Sequence, residues 1–262
     1  MPDLAALDFG GVSWVGVLFL CAAALLAGTV DAIVGGGGLL QLPALLLVMP
    51  GGDVIHSIAT SKVVGTVGAA ATGFTYSRTT PMDWGTVVRM SSAGFLAAMA
   101  GAACASAMPA GALNVVVLVA LLVVVGHTLR NPDLGVAERA HGARTWVTVL
   151  GGAAIGFWNG LGAPGTGSFL VFLLVGVAGH SFLGASAIAK VVNVATSVGA
   201  LIFFIPAGTV LWGLGIAMAA CNVIGGVVGT LIAVRKGASF IRRIFLGVAL
   251  ALIATVGVKL LG

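Results

Sequence analysis

Lys62 and Lys190 lie inside long apolar stretches, where a charge has no water to solvate it. A lysine at such depth is costly unless it is paired or faces an aqueous cavity, so each marks a candidate site. With a helix beginning at residue 54, Lys62 lies about 12 Å along it at about 1.5 Å per residue. Lys190 is equally deep in a helix over 182–204. Ser186, Asn193 and Ser197 stand at −4, +3 and +7 from Lys190, which puts all three on its stripe of the helix. Ala59, Gly65, Thr66 and Ala69 flank Lys62 in the same way, with Ser61 adjacent. The chemistry this suits is electrostatic capture of a small anion. The alternative is that each lysine snorkels to the interface or pairs with Asp31.

Two glycine-rich breaks are the second feature: GTVDAIVGGGGLLQLP over 28–43 and GFWNGLGAPGTGSFL over 156–170. Four successive glycines make poor helix. A half-helix starting after such a break turns its unpaired N–H groups toward whatever lies at the break. Gly37, Gly38, Gly165, Thr166, Gly167 and Ser168 are the candidate backbone and hydroxyl donors, with Thr166 or Ser168 as a cap and Pro43 in a first helical turn. The alternative is that these glycines only permit tight helix packing. Asp31 precedes the first break. It is either a titrating carboxylate that carries a coupling proton or a fixed counter-ion.

The elements that position these residues are membrane helices. Of 262 residues 60% are hydrophobic and 7% charged, and the mean hydropathy is +1.19. Seven acids and twelve bases cannot cover a water-soluble surface, which excludes a soluble enzyme, a disordered chain and a disulfide scaffold. Apolar segments run over 13–34, 39–49, 54–77, 84–106, 111–130, 144–162, 168–178, 182–204, 208–232 and 239–261, giving about 8–10 membrane helices at about 20 residues per span. Segments 39–49 and 168–178 are either thin crossings or re-entrant. The leader MPDLAALDFG carries Asp3 and Asp8 and does not read as a secretory signal. Cys21, Cys104 and Cys221 read as scattered small core residues, His56 and His180 as interfacial, and His127 and His141 as solvated. No metal cluster, catalytic triad or phosphate-cradling GK[ST] ending is present, so no cofactor, nucleic acid or catalysis is expected.

A shift of 128 aligns the two halves. Gly28 falls on Gly156, Gly37 on Gly165, Lys62 on Lys190, Trp84 on Trp212 and Gly101 on Gly229, while Asp31 falls on Asn159. This is an internal duplication: a first repeat over 1–130, a linker over 131–143 and a second repeat over 144–262. Bases occupy 78–89, 130–144 and 235–243, whereas loops 107–110 and 205–209 carry none. Parallel repeats would place the four-base loop outside; inverted repeats place it in the cytoplasm, as the positive-inside rule requires. The expected fold is therefore an all-α polytopic membrane protein of two inverted repeats, with the linker cytoplasmic, the N-terminus outside, and a small anion held near the midplane.

DAIVGGGGLLQLPALLL and ATSK in the first half, with APGTGSFL and ASAIAKVVN in the second, resemble the signature of the TauE/SafE sulfite-exporter family over nearly the whole chain. The matching positions are Gly35 to Gly38, Pro43, Lys62, Pro164 to Gly167, Lys190 and Asn193; Ser61 departs from the Asn often found before the lysine. The resemblance implies secondary transport, mainly export, of sulfite, sulfoacetate or other sulfonates, or thiosulfate, across the inner membrane, with a proton as the supposed coupling ion. A passive anion channel on the same scaffold is the alternative.

Overall fold

Several of the helices begin where a side chain satisfies their first N–H groups, and several end at or beside glycine or proline. The computed structural model describes residues 9–50, 53–109, 112 and 145–236. Within them lie eight helices: α1 (Trp14–Val34), α2 (Gly38–Val48), α3 (Val54–Ser77), α4 (Trp84–Ala107), α5 (Thr145–Gly160), α6 (Thr166–Gly176), α7 (Phe182–Phe204) and α8 (Trp212–Lys236). The expected segments 111–130 and 239–261, the linker 131–143, His127 and His141 fall outside the described residues.

Ser13, Asp53 and Ser181 accept hydrogen bonds from the N–H groups of Gly16, His56 and Gly184 and so start α1, α3 and α7. Asp83 does the same for α4 at 3.0 Å from Gly85 N and 3.3 Å from Thr86 N. Helix α8 starts at Trp212, later than the apolar run from 208, because Gly208 turns the chain with φ +68° and Leu211 N–H is held by Thr60 Oγ1 at 3.1 Å. It runs on to Lys236, since Arg235 and Lys236 suit a helix C-terminus.

Five of the helices, α1, α3, α4, α7 and α8, are long and apolar enough to cross a bilayer. The protein is an all-α multi-pass membrane protein. Outward faces carry Trp14, Leu18, Phe74, Trp84, Leu96, Trp146, Trp212 and Ile216, as lipid contact requires.

The short helices fold back along the long helix before them. Gly16 of α1 packs against Val48 at the far end of α2, and Gly151 of α5 against Leu173 of α6. At about 1.5 Å per residue each short helix covers only some 16 Å. The offset of 128 carries 38–48 onto 166–176, the range of α6, and 84–107 onto 212–235, within one residue of α8.

Helices α1 and α8 lie side by side in the same direction: Gly225 meets Leu25 and Thr29, and Gly229 meets Thr29 and Ala32. Thr29 Oγ1 bridges them, donating to Gly225 O at 3.1 Å. Helices α4 and α5 make the equivalent pair through Gly94, Gly101, Gly152 and Gly156. Close approach of backbones over small residues drives such packing, because lipid tails offer no hydrophobic contrast. Ala59 and Val63, early in α3, share a cluster with Ala200, Leu201 and Phe204, late in α7. Tyr76, late in α3, shares another with Phe182 and Ala185, early in α7.

The cysteines correct the sequence expectation. Cys104 is exposed on the outer face and the other two are half-buried; Cys21 of α1 and Cys221 of α8 pack against the same apolar cluster, so they are neighbours rather than scattered.

Two outcomes follow from the packing and the caps. Gly225→Val drives a side chain into the Leu25 carbonyl and is expected to cost about 1–3 kcal/mol, read as a lower Tm in detergent; an unchanged Tm refutes the close packing. The hydrogen bond from the Thr86 hydroxyl holds the Asp83 carboxyl below the usual carboxylate range. Its capping contribution is therefore present above the ordinary pKa and lost as pH falls through the lowered one. Asp83→Ala should cost about 1 kcal/mol at neutral pH and less in acid, measured by denaturation at several pH values.

Candidate functional site

The two membrane lysines reach across to the other half of the chain. Lys62 of α3 donates to Asn159 Oδ1 of α5. Lys190 of α7 donates to the Asp31 backbone carbonyl and forms an ion pair with Asp31 Oδ2 of α1 at 2.5 Å. These are one arrangement used twice, because the offset of 128 carries Lys62 onto Lys190 and Asp31 onto Asn159. The chemistry differs at one atom type: a carboxylate receives Lys190 and an amide receives Lys62. The Lys190 side chain is 3% exposed and neutralised. Lys62 is only partly buried and meets no carboxylate within ion-pair distance among the described residues.

Lys62 lines a cavity of about 70 Å³ between the halves. At about 10–15 Å³ per water-sized occupant, that is room for roughly five such spheres, or one small oxyanion. Helices α3 and α7 contribute Ser61, Gly65, Asn193 and Ser197; the first break contributes Asp31, Gly35, Gly37 and Gly38, and the second Gly162 to Gly167. Leu42 and Ile58 supply apolar wall.

Amides and hydroxyls fix the lining. Asn159 Nδ2 donates to Thr196 Oγ1 at 2.8 Å and Ser197 Oγ at 3.1 Å, and Asn159 Oδ1 also accepts from Thr166 Oγ1 at 3.1 Å. Opposite, Gln41 Nε2 donates to Ser61 Oγ at 3.0 Å and Asn222 Nδ2 donates to Gln41 Oε1 at 3.3 Å. A buried amide with both ends engaged holds one orientation, and neighbours held in turn by such amides form a rigid wall.

The breaks bring backbone to the cavity. Helix α1 ends at Gly35 with φ +75°, its N–H bonded to Asp31 O at 2.8 Å, and α6 begins after Gly165 with φ +87°. Both φ values are open to glycine and strained for other residues. Gly35 and Gly167 touch backbone to backbone; a Cβ on Gly35 would stand 2.5 Å from the Gly167 carbonyl carbon. Neither α2 nor α6 has a side-chain cap. The expectation of a Thr166 or Ser168 cap is corrected here: Thr166 gives its hydroxyl to Asn159, and the cap position is Gly165. Pro43 likewise lies inside α2, past its first turn, because the helix already starts at Gly38.

Of the residues expected at the site, Asp31, Lys62, Asn193, Ser197, Gly37, Gly38, Gly165, Thr166 and Gly167 line the cavity. Lys190, Ser186, Thr66 and Ser168 do not. Lys190 is held by Asp31; Thr66 donates to the Lys62 carbonyl of its own helix; Ser168 is buried in α6; Ser186 is buried in α7. The two ammonium groups are therefore held by different partners, with only Lys62 at the cavity. Gln41 and Asn222 are lining residues that the sequence reading passed over, and Asn159 was seen there only as the counterpart of Asp31. Their signal was present: an isolated amide in an apolar helix needs a polar partner just as a lysine does.

Among the described residues no group of His, Cys, Asp and Glu could hold a metal ion. The chain matches the family described as Sulfite exporter TauE/SafE over residues 20–256. It is 31% identical over 235 residues to "Probable membrane transporter protein ORF9" of Sinorhizobium sp, covering 89% of each chain. It is 29% identical over 230 residues to "Probable membrane transporter protein YfcA" of Escherichia coli strain K12, covering 87% of this chain and 83% of the relative. A "Probable membrane transporter protein" of Haemophilus influenzae is 27% identical over 237 residues, or 88% of this chain and 90% of the other. No solved structure matches. The matched span takes in every residue that lines the cavity, and the chain belongs to the TauE/SafE sulfite-exporter family of membrane transporters.

Proposed function

We propose that the protein is an inner-membrane secondary transporter that exports a small sulfur-containing oxyanion, with sulfite, sulfoacetate and thiosulfate as candidates. One observation carries this reading: the Lys62 ammonium faces a small cavity and forms no ion pair with a carboxylate among the described residues. The uncapped starts of α2 and α6 offer N–H groups at the same place. Asn193, whose side-chain amide has no hydrogen bond among the described residues, and Ser197 complete the donors.

The repeats, 1–130 and 144–262, are inverted about the midplane in this reading, with 131–143 cytoplasmic and the N-terminus outside. The support is that α3 packs early-to-late against its own counterpart α7, as equivalent helices do when one half is turned over. Access alternates as one repeat moves against the other around the cavity. Asp31 is the coupling residue of this mechanism. It lines the cavity and holds Lys190, so a proton on its carboxyl breaks the ion pair.

Three measurements in proteoliposomes test the reading. Lys62→Met is expected to lower sulfite flux at least tenfold, and unchanged flux and affinity refute the Lys62 site. Gly65 has open space where a Cβ would stand. Gly65→Leu should therefore fold normally by Tm yet block transport; wild-type flux would place the anion path elsewhere. An imposed proton gradient should drive sulfite uphill, whereas strictly downhill flux identifies a passive channel.

A further inference from the structure

We infer that the site is matched to an anion of a single negative charge and discriminates against dianions. This deepens the transporter reading and rests on it. The charged groups at the cavity are Lys62 and Asp31, and Asp31 is joined to Lys190. With Asp31 ionised and paired to Lys190, two ammonium groups and one carboxylate leave a net charge of one positive. No other charged side chain lines the cavity among the described residues.

The helix ends do not alter that balance. Each break sets the C-terminal end of one helix beside the N-terminal start of the next, α1 beside α2 and α5 beside α6. Their partial charges are opposite and similar in size. The Gly37 N–H, at the start of α2, is already given to Asp31 Oδ1 at 3.1 Å. Backbone donors thus orient an anion without supplying a second full charge.

A monovalent anion against Lys62 closes the account to neutral. A dianion leaves one charge unmatched in a cavity lined partly by Leu42, Ile58 and Ala163, and near the Asp31 carboxylate. Unmatched charge is costly in such a low-dielectric setting, and like charges there repel strongly. The asymmetry at one repeat position, Asp31 against Asn159, sets this preference. With amides at both positions neither lysine would have a counter-ion; with carboxylates at both, each would. Hydrogen sulfite and a simple monosulfonate meet the charge requirement, while sulfoacetate and thiosulfate, each doubly charged, do not.

The test is binding to the detergent-purified full-length protein at constant ionic strength, with methanesulfonate and sulfate as probes. Wild type is expected to bind methanesulfonate at least tenfold more tightly than sulfate; equal or tighter sulfate binding overturns the charge match while leaving an oxyanion site standing. Binding of neither anion overturns the oxyanion reading and this inference with it. Asn159→Asp gives Lys62 a counter-ion and should weaken methanesulfonate at least tenfold, with the Tm of the unliganded protein showing that it is folded; unchanged affinity refutes the inference. Asp31→Asn frees Lys190 and should move the preference toward sulfate, and an unmoved preference in a folded variant also refutes it. The wild-type ratio decides the matter should a variant fail to fold.

Discussion

Two buried lysines reaching into the opposite half of the chain are the constraint on which the rest depends. A lysine in a bilayer must find a partner or water. Here each finds a residue at the end of the first helix of the other half, Lys62 at Asn159 and Lys190 at Asp31. Those bonds draw the halves together at the depth of the breaks. They also separate the roles of two residues that are equivalent by position. Lys190 is held by a carboxylate. Lys62 rests on a neutral amide and faces the cavity.

The glycine breaks make that geometry possible. A helix that continued through 35–38 would carry α2 away from the cavity. The left-handed turn at Gly35 sends it back along α1, and Gly165 does the same for α6. The contact of Gly35 with Gly167 lets the two turns meet without side chains between them. The breaks and the small-residue seams of α1 with α8 and α4 with α5 are therefore one design: backbone is brought close wherever a side chain would hold the halves apart. The cavity is what remains where the lining carries Lys62, Asn193 and Ser197 instead.

Much of the architecture was legible in the sequence. The apolar segments 54–77 and 182–204 have the bounds of α3 and α7. The shift of 128 was legible because the rare residues, lysine and tryptophan, recur on it. Glycine and polar spacing pointed to nine residues that line the cavity, Lys62 and Thr166 among them. Gln41 and Asn222, which also line the cavity, were not legible in this way. An amide in an apolar helix carries no charge and so gives a weaker signal, although it too must be satisfied.

The sequence by itself determined that this chain lives in a membrane and where its helices break. Those properties follow from composition, from capping and from the conformational range of glycine, all of which act over a few neighbouring residues. Only the tertiary structure decided which lysine faces the cavity. Lys62 and Lys190 have like surroundings along the chain, and what separates them is the partner each meets more than 90 residues away, an amide for one and a carboxylate for the other. Charge balance between distant side chains is set by proximity in space, and spacing along a helix carries no record of it.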